Sequence, residues 1–164
     1  MDHLIGLLIN PMAGRDIRRV VAAASLQSSP EKLLTIRRIL AGVAAMPGIR
    51  VAMLSDREGF AEYVASELSR DISIEVIDGP DDDGGALTTR GVRTLQEAGA
   101  EAIIVIGGDG TQRNAAEAFP AIPLLPIAGG TNNVACWGGD QTAAGYAAAL
   151  YDPSLRSLGG RVAV

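Results

Sequence analysis

Ile103-Ile104-Val105-Ile106 runs without a break into Gly107-Gly108-Asp109-Gly110-Thr111. Such an apolar, mostly β-branched run predicts a strand buried on both faces, which belongs in a parallel sheet. The glycines that follow allow a turn that other residues would strain, and they leave room for a ligand against the main chain. One carboxylate sits among them, and Thr111 is placed to cap a helix beginning at Gln112. A carboxylate at the carboxyl end of a parallel strand, beside the free amides of a helix start, suits a phosphate or Mg–nucleotide site.

The rest of the chain repeats this alternation. Leu4–Ile9 reads as a first strand, broken by Asn10-Pro11-Met12-Ala13-Gly14. Arg15–Leu26 has the spacing of a short helix, and Pro30 suits the first turn of another, whose broad apolar face is Leu33, Leu34, Ile36, Ile39, Leu40 and Val43. Further strands are expected at Ile49–Leu54, Ile72–Ile77, Ala102–Ile106 and Pro123–Ile127. Helices are expected at Phe60–Leu68, Leu87–Ala98, Thr111–Ala118 and Thr142–Tyr151. This order predicts an α/β fold: a three-layer αβα, Rossmann-like domain with a mostly parallel sheet. With 164 residues and no linker, residues 1–164 read as a single domain.

Composition removes several classes of function. A net charge of −5 argues against a nucleic-acid surface, and Lys32 is the sole lysine, so cationic phosphate contacts fall to arginine. Cys136 is the one cysteine and His3 the one histidine, which excludes an internal disulfide, zinc clusters and Ser–His or Cys–His catalysis. The sequence carries no run of the roughly 20 apolar residues that a bilayer span needs. Met1-Asp2-His3 lacks the basic region of a secretory signal, so Leu4–Ile9 is expected to be a strand rather than a leader. A cytoplasmic setting, with no membrane partner, is the expectation.

In an open parallel sheet the loops after the first, fourth and fifth strands emerge at the same carboxyl edge, where ligands gather. Here they are Asn10–Arg15, Gly107–Thr111 and Ala128–Asn133. Ordinary turn chemistry is the plainer reading of each; their convergence favours a site. Walker A and Gly-x-Ser-x-Gly patterns are absent, and Arg113 stands where a dinucleotide fingerprint needs Gly or Ala.

Gly-Gly-Asp-Gly-Thr at Gly107–Thr111 resembles the motif shared by NAD kinases, diacylglycerol and sphingosine kinases and, in variant form, 6-phosphofructokinases. Leu8–Gly14 is similar to the first strand and turn of lipid kinases and of the NAD-kinase-like proteins related to acetoin-catabolism protein X. Leu124–Val134, with Gly130-Thr131-Asn132-Asn133, resembles the latter group more, as does Thr142-Ala143-Ala144-Gly145. Lipid kinases favour Gly-Thr-Gly-Asn-Asp there. Proteins of this kind continue into a β-rich C-terminal domain, which the resemblance implies is missing from this chain.

The resemblance implies an ATP-dependent kinase domain that phosphorylates the 2′-hydroxyl of NAD or a related nucleotide, with Mg²⁺ carried by the ATP and no metal site of its own. The alternatives it leaves are a lipid kinase domain and a non-catalytic nucleotide-binding or regulatory domain. Asp109 is the expected proton acceptor; placing Mg²⁺ or capping a turn are its other readings. Asn10, Gly14, Gly107, Gly108, Gly110, Thr111, Gly130, Thr131, Asn132 and Asn133 are expected to line the nucleotide site. Arg15 and Arg113 are candidates for phosphate contacts, with solvent and a surface salt bridge as their alternatives. Asp81-Asp82-Asp83 reads as a solvated loop whose last residue caps a helix. Trp137 reads as packing rather than stacking on a base. A nucleotide is the expected partner, and the relatives' habit suggests a homo-oligomer.

Overall fold

The computed structural model describes residues 3–10, 29–56, 59–80, 85–118, 120–130 and 132–152. The expected helix at Arg15–Leu26, together with Gly14, the Asp81–Asp83 run and Thr131, lies outside the described residues. Strand and helix alternate along the rest: β1 His3–Ile9, α1 Ser29–Ala44, β2 Ile49–Leu54, α2 Phe60–Leu68, β3 Ser73–Ile77, α3 Gly85–Glu97, β4 Ala102–Gly107, α4 Asp109–Ala116, β5 Leu124–Ala128 and α5 Gln141–Ala149.

The strands form one five-stranded parallel sheet in the order β3-β2-β1-β4-β5. Chain order therefore runs outward from β1 on one side and restarts at β4 on the other. The switch point lies between β1 and β4, where Ile9 pairs with Ile106. In an open α/β sheet this is where a crevice opens beyond the strand ends.

Successive side chains on each strand face opposite layers. Ile5, Leu7, Val51, Met53, Ile104 and Ile106 pack with Ile36, Ile39 and Val43 of α1, Val64 of α2 and Ala148 of α5. Leu4, Leu8, Ala52, Ile103 and Val105 face the other way, onto Val92 and Leu95 of α3 and Ala115 of α4. The result is the αβα layering expected from the sequence. Because helices cover both faces, β4 is buried along its whole length, which is why its sequence reads as an unbroken apolar run. Each Ile or Leu so buried contributes about 1.5–3 kcal/mol. Pro126 is tolerated in β5 because that strand stands last in the sheet order.

Helix starts follow side-chain chemistry where it is present. Asp56 accepts from the backbone N–H groups of Phe60 and Ala61 at 3.2 and 3.0 Å, and Asp140 caps α5 by accepting from Ala143 N at 2.9 Å. The start of α4 differs from the sequence expectation. It begins at Asp109 rather than Gln112, with Gly108 as its cap residue in extended conformation. The carbonyl of Gly108 already accepts from Gln112 N at 3.1 Å, so the helical hydrogen bonds begin before Thr111 can cap anything.

Candidate functional site

The carboxyl ends of β1, β4 and β5 lie side by side, and the residues leaving them meet. Asn10 leaves β1 with its backbone N–H donating to Ile106 O at 3.2 Å. Its side-chain Nδ2 donates to Thr111 Oγ1 at 2.9 Å. That bond crosses the switch point, from the end of β1 to the first turn of α4. Thr111 is buried there, and its hydroxyl holds Asn10.

The loop after β4 is laced to the loop after β5. Gly129 N donates to Gly107 O at 3.1 Å and Asp109 N to Asn132 O at 2.9 Å. In return Ala135 N donates to Asp109 Oδ1 at 2.9 Å. Among the described residues no hydrogen bond engages the second oxygen of that carboxylate. Asn133 closes its own turn: Oδ1 accepts from Gly130 N at 3.2 Å and Nδ2 donates to Gly130 O at 2.8 Å. Its amide is thus committed to backbone, whereas the Asn132 side chain is exposed.

The glycines of the motif have a different reason from the one their sequence suggested. Gly108 has φ −86° and ψ −178°, a conformation open to any residue. What excludes a side chain is contact: a Cβ on Gly108 would sit 2.9 Å from Asn132 O, and one on Gly130 would sit 2.8 Å from Gly108 Cα. The space that glycine frees at these positions is filled by the protein's own backbone. At Gly110 a Cβ would meet nothing within 4 Å, so this is the motif glycine whose face is open.

Two residues of the site were not assigned to it from the sequence. Gln112 is buried in the first turns of α4, and its Nε2 donates to Val105 O at 3.0 Å, with Gly107 O and Ile127 O at 3.4 and 3.5 Å. Its place one turn before Ala115, on the stripe facing the sheet, was the available signal. Cys136 Sγ donates to Gly107 O at 3.4 Å. Burial, and then the charge of Asp109, push this thiol above its ordinary range, while the Gln112 side chain partly offsets them.

The other candidates stand apart. Arg113 is exposed and pairs with Glu117 at 3.7 Å, the surface salt bridge that was its alternative reading. Gly14, Arg15 and Thr131 lie outside the described residues. Trp137 is half-exposed; its backbone N–H donates to Pro126 O at 2.7 Å and its indole N–H to Asp140 O at 3.4 Å. It bridges to Ile127 on β5, away from the β1–β4 switch. Among the described residues no three His, Cys, Asp or Glu side chains cluster to hold a metal, and no helix is long and apolar enough to cross a membrane.

This arrangement, with a carboxylate and an open glycine on the first turn of a helix at the switch point, lies within residues 5–151, which match the ATP-NAD kinase N-terminal domain family. The chain belongs to that family. It is also 35% identical over 159 residues to acetoin catabolism protein X of Cupriavidus necator, an alignment covering 90% of this chain and 43% of the relative. The chain thus spans less than half the length of that relative. No solved structure matches it significantly. Membership accounts for the parallel αβα architecture and places Gly107–Thr111, Asn10 and Gly129–Asn133 inside the family's own span.

Proposed function

We propose that this domain is the nucleotide-binding part of an ATP-dependent phosphotransferase, with the 2′-hydroxyl of NAD or a related nucleotide as acceptor. The observation that carries the reading is Asp109: a carboxylate on the first turn of α4, at the edge of the switch-point crevice, with Oδ1 fixed by Ala135 N. Membership of a family described as ATP-NAD kinases supports ATP as donor and NAD as acceptor.

In this mechanism the acceptor hydroxyl oxygen attacks the γ-phosphorus, the bond to the ADP oxygen breaks, and the hydroxyl proton passes to Asp109 Oδ2. Phosphoryl transfer asks the protein chiefly for positioning and charge stabilisation. The amides at the start of α4 and the open face of Gly110 supply a place for phosphate oxygens. The exposed Asn132 amide offers both a donor and an acceptor to a ribose or base. Mg²⁺ would enter on the ATP, whose phosphate oxygens suit this hard cation. Asn10, Thr111, Gly108, Gly130 and Asn133 hold the loops in register.

The test is transfer of radiolabelled phosphate from ATP, with Mg²⁺, into NAD. Labelled NADP is the expected product, and Asp109→Asn should lower its rate by about 10²–10⁴-fold. Label in extracted lipid instead would make this a lipid kinase. A nucleotide-dependent rise in melting temperature with no product in either would make it a binding domain.

A further inference from the structure

Among the described residues the Gln112 side chain is the one buried amide beneath the site, and its surroundings are unusual. Three carbonyl oxygens, of Val105, Gly107 and Ile127, converge on its Nε2 at 3.0, 3.4 and 3.5 Å. They come from the carboxyl ends of two adjacent strands, β4 and β5. Carbonyl oxygens brought this close repel one another unless a donor stands between them, and in a buried place water does not supply it. Gly107 O is the hub: Gly129 N reaches it at 3.1 Å and Cys136 Sγ at 3.4 Å. Gln112 therefore joins the β4 end and the β5 end directly and, through Gly107 O, Gly129 and Cys136. The orientation of Asp109 depends on that junction, because its N–H is held by Asn132 O and its Oδ1 by Ala135 N.

We infer that Gln112 is the positioning residue for the Asp109 carboxylate, fixing Gly129 and residues 132–137 against the Gly107–Thr111 turn so that the carboxylate faces the crevice. The kinetic part of this role rests on the phosphotransfer reading; the structural part does not. Gln112 touches no substrate in this role and acts through Gly107, Ile127 and Asp109.

Amide hydrogen exchange followed by NMR tests it without requiring turnover. Gln112→Met keeps the length of the side chain and removes both donors. Exchange at Asp109 and Ala135 should rise by about tenfold beyond any rise at the core amides of Val51 and Met53, about one hydrogen bond of lost protection. Thr89→Val is the control, since it removes an unrelated hydrogen bond to α4, from Thr89 Oγ1 to Asn114 O at 2.8 Å, and should show no such selectivity. If Gln112→Met does not fold, Gln112→Asn keeps the donors but shortens their reach, and the same selective rise is expected. A rise at Asp109 and Ala135 no greater than in the core overturns the inference. If NADP is formed, Gln112→Met should also lower kcat by about 10–10²-fold, the cost of a misplaced catalytic group, with KM for ATP nearly unchanged. A proportionate rise in KM with kcat intact would count against positioning. Absence of NADP formation in the unaltered protein would sink the phosphotransfer reading alone, and the exchange data would still decide the role of Gln112.

Discussion

Two pairs of glycines hold this molecule together at different places, and they are not equivalent. Gly42 of α1 and Gly145 of α5 bring two helices into backbone contact: a Cβ on Gly145 would collide with Ile39 O, and one on Gly42 with Thr142 O. Gly108 and Gly130 bring two loops together at the carboxyl edge. The helix pair is buried and its obstacles are helical backbone, which cannot retreat without losing its own hydrogen bonds. The loop pair is only partly buried, and its obstacles are turns able to shift. Glycine serves the fold in the first case and the geometry of the site in the second.

Gly145→Ala should therefore have the largest effect on stability. Overpacking costs about 1–3 kcal/mol, against which alanine recovers up to about 1 kcal/mol of helix propensity. Denaturant unfolding should show the loss, with nucleotide affinity of the folded fraction unchanged. An unaltered midpoint would mean that α1 and α5 can slide apart, and the contrast between the two pairs would fail. Gly108→Ala should do the reverse. A Cβ there pushes Asn132 O away and loosens the Asp109 N–H bond, so stability falls by about 1 kcal/mol or less while nucleotide binding, measured calorimetrically, weakens more. Equal losses in both quantities would place Gly108 with the structural pair.

The contrast also explains what the sequence disclosed. Apolar runs and helical spacings located the described strands and helices to within a few residues, since burial on two faces writes itself directly into β4 and α1. The three polar loops placed a site at the carboxyl edge of the sheet, and the strand order then put the switch point between β1 and β4. What stayed hidden was contact between residues distant in the chain. Nothing local distinguishes Gly145, whose reason is Ile39, from a glycine that weakens a helix. The spacing of Gln112 puts it on the stripe of α4 that faces the sheet, but its carbonyl partners on β4 and β5 appear only when those strands lie side by side. Asn133 was expected at the nucleotide with a turn role as the alternative, and its amide closes a turn on Gly130, a pairing set by backbone geometry that spacing does not reveal.

A smaller effect is expected at Cys136, which touches the loop pair through Gly107 O. Burial and the Asp109 charge raise its pKa, so the protonated thiol is the form the fold favours. Any stability it contributes is present in full below the unfolded thiol's pKa and is lost as pH rises through the higher folded value. Alkylation by iodoacetamide should consequently be slower than for a free cysteine at the same pH. Asp109→Asn removes the second cause of the shift and should speed it at mildly alkaline pH. No change in rate would place the Asp109 charge too far from the sulfur to matter, and would loosen the described link between the two loops.

Gly110 gives the smallest effect on stability and the sharpest discrimination. It lies on the first turn of α4, takes no left-handed conformation, and a Cβ there meets nothing within 4 Å. On packing and backbone grounds alone alanine is the better residue at this position, by about 0.5–1 kcal/mol. A glycine that the fold does not require points to something outside the fold, and the open face beside Asp109 is where phosphate oxygens would approach. Gly110→Ala should raise the unfolding midpoint slightly and weaken nucleotide binding, two changes of opposite sign from one methyl group. A variant that is more stable and binds as tightly as before would remove the phosphate from this face. A variant that is less stable would mean that Gly110 belongs with Gly145, serving the fold.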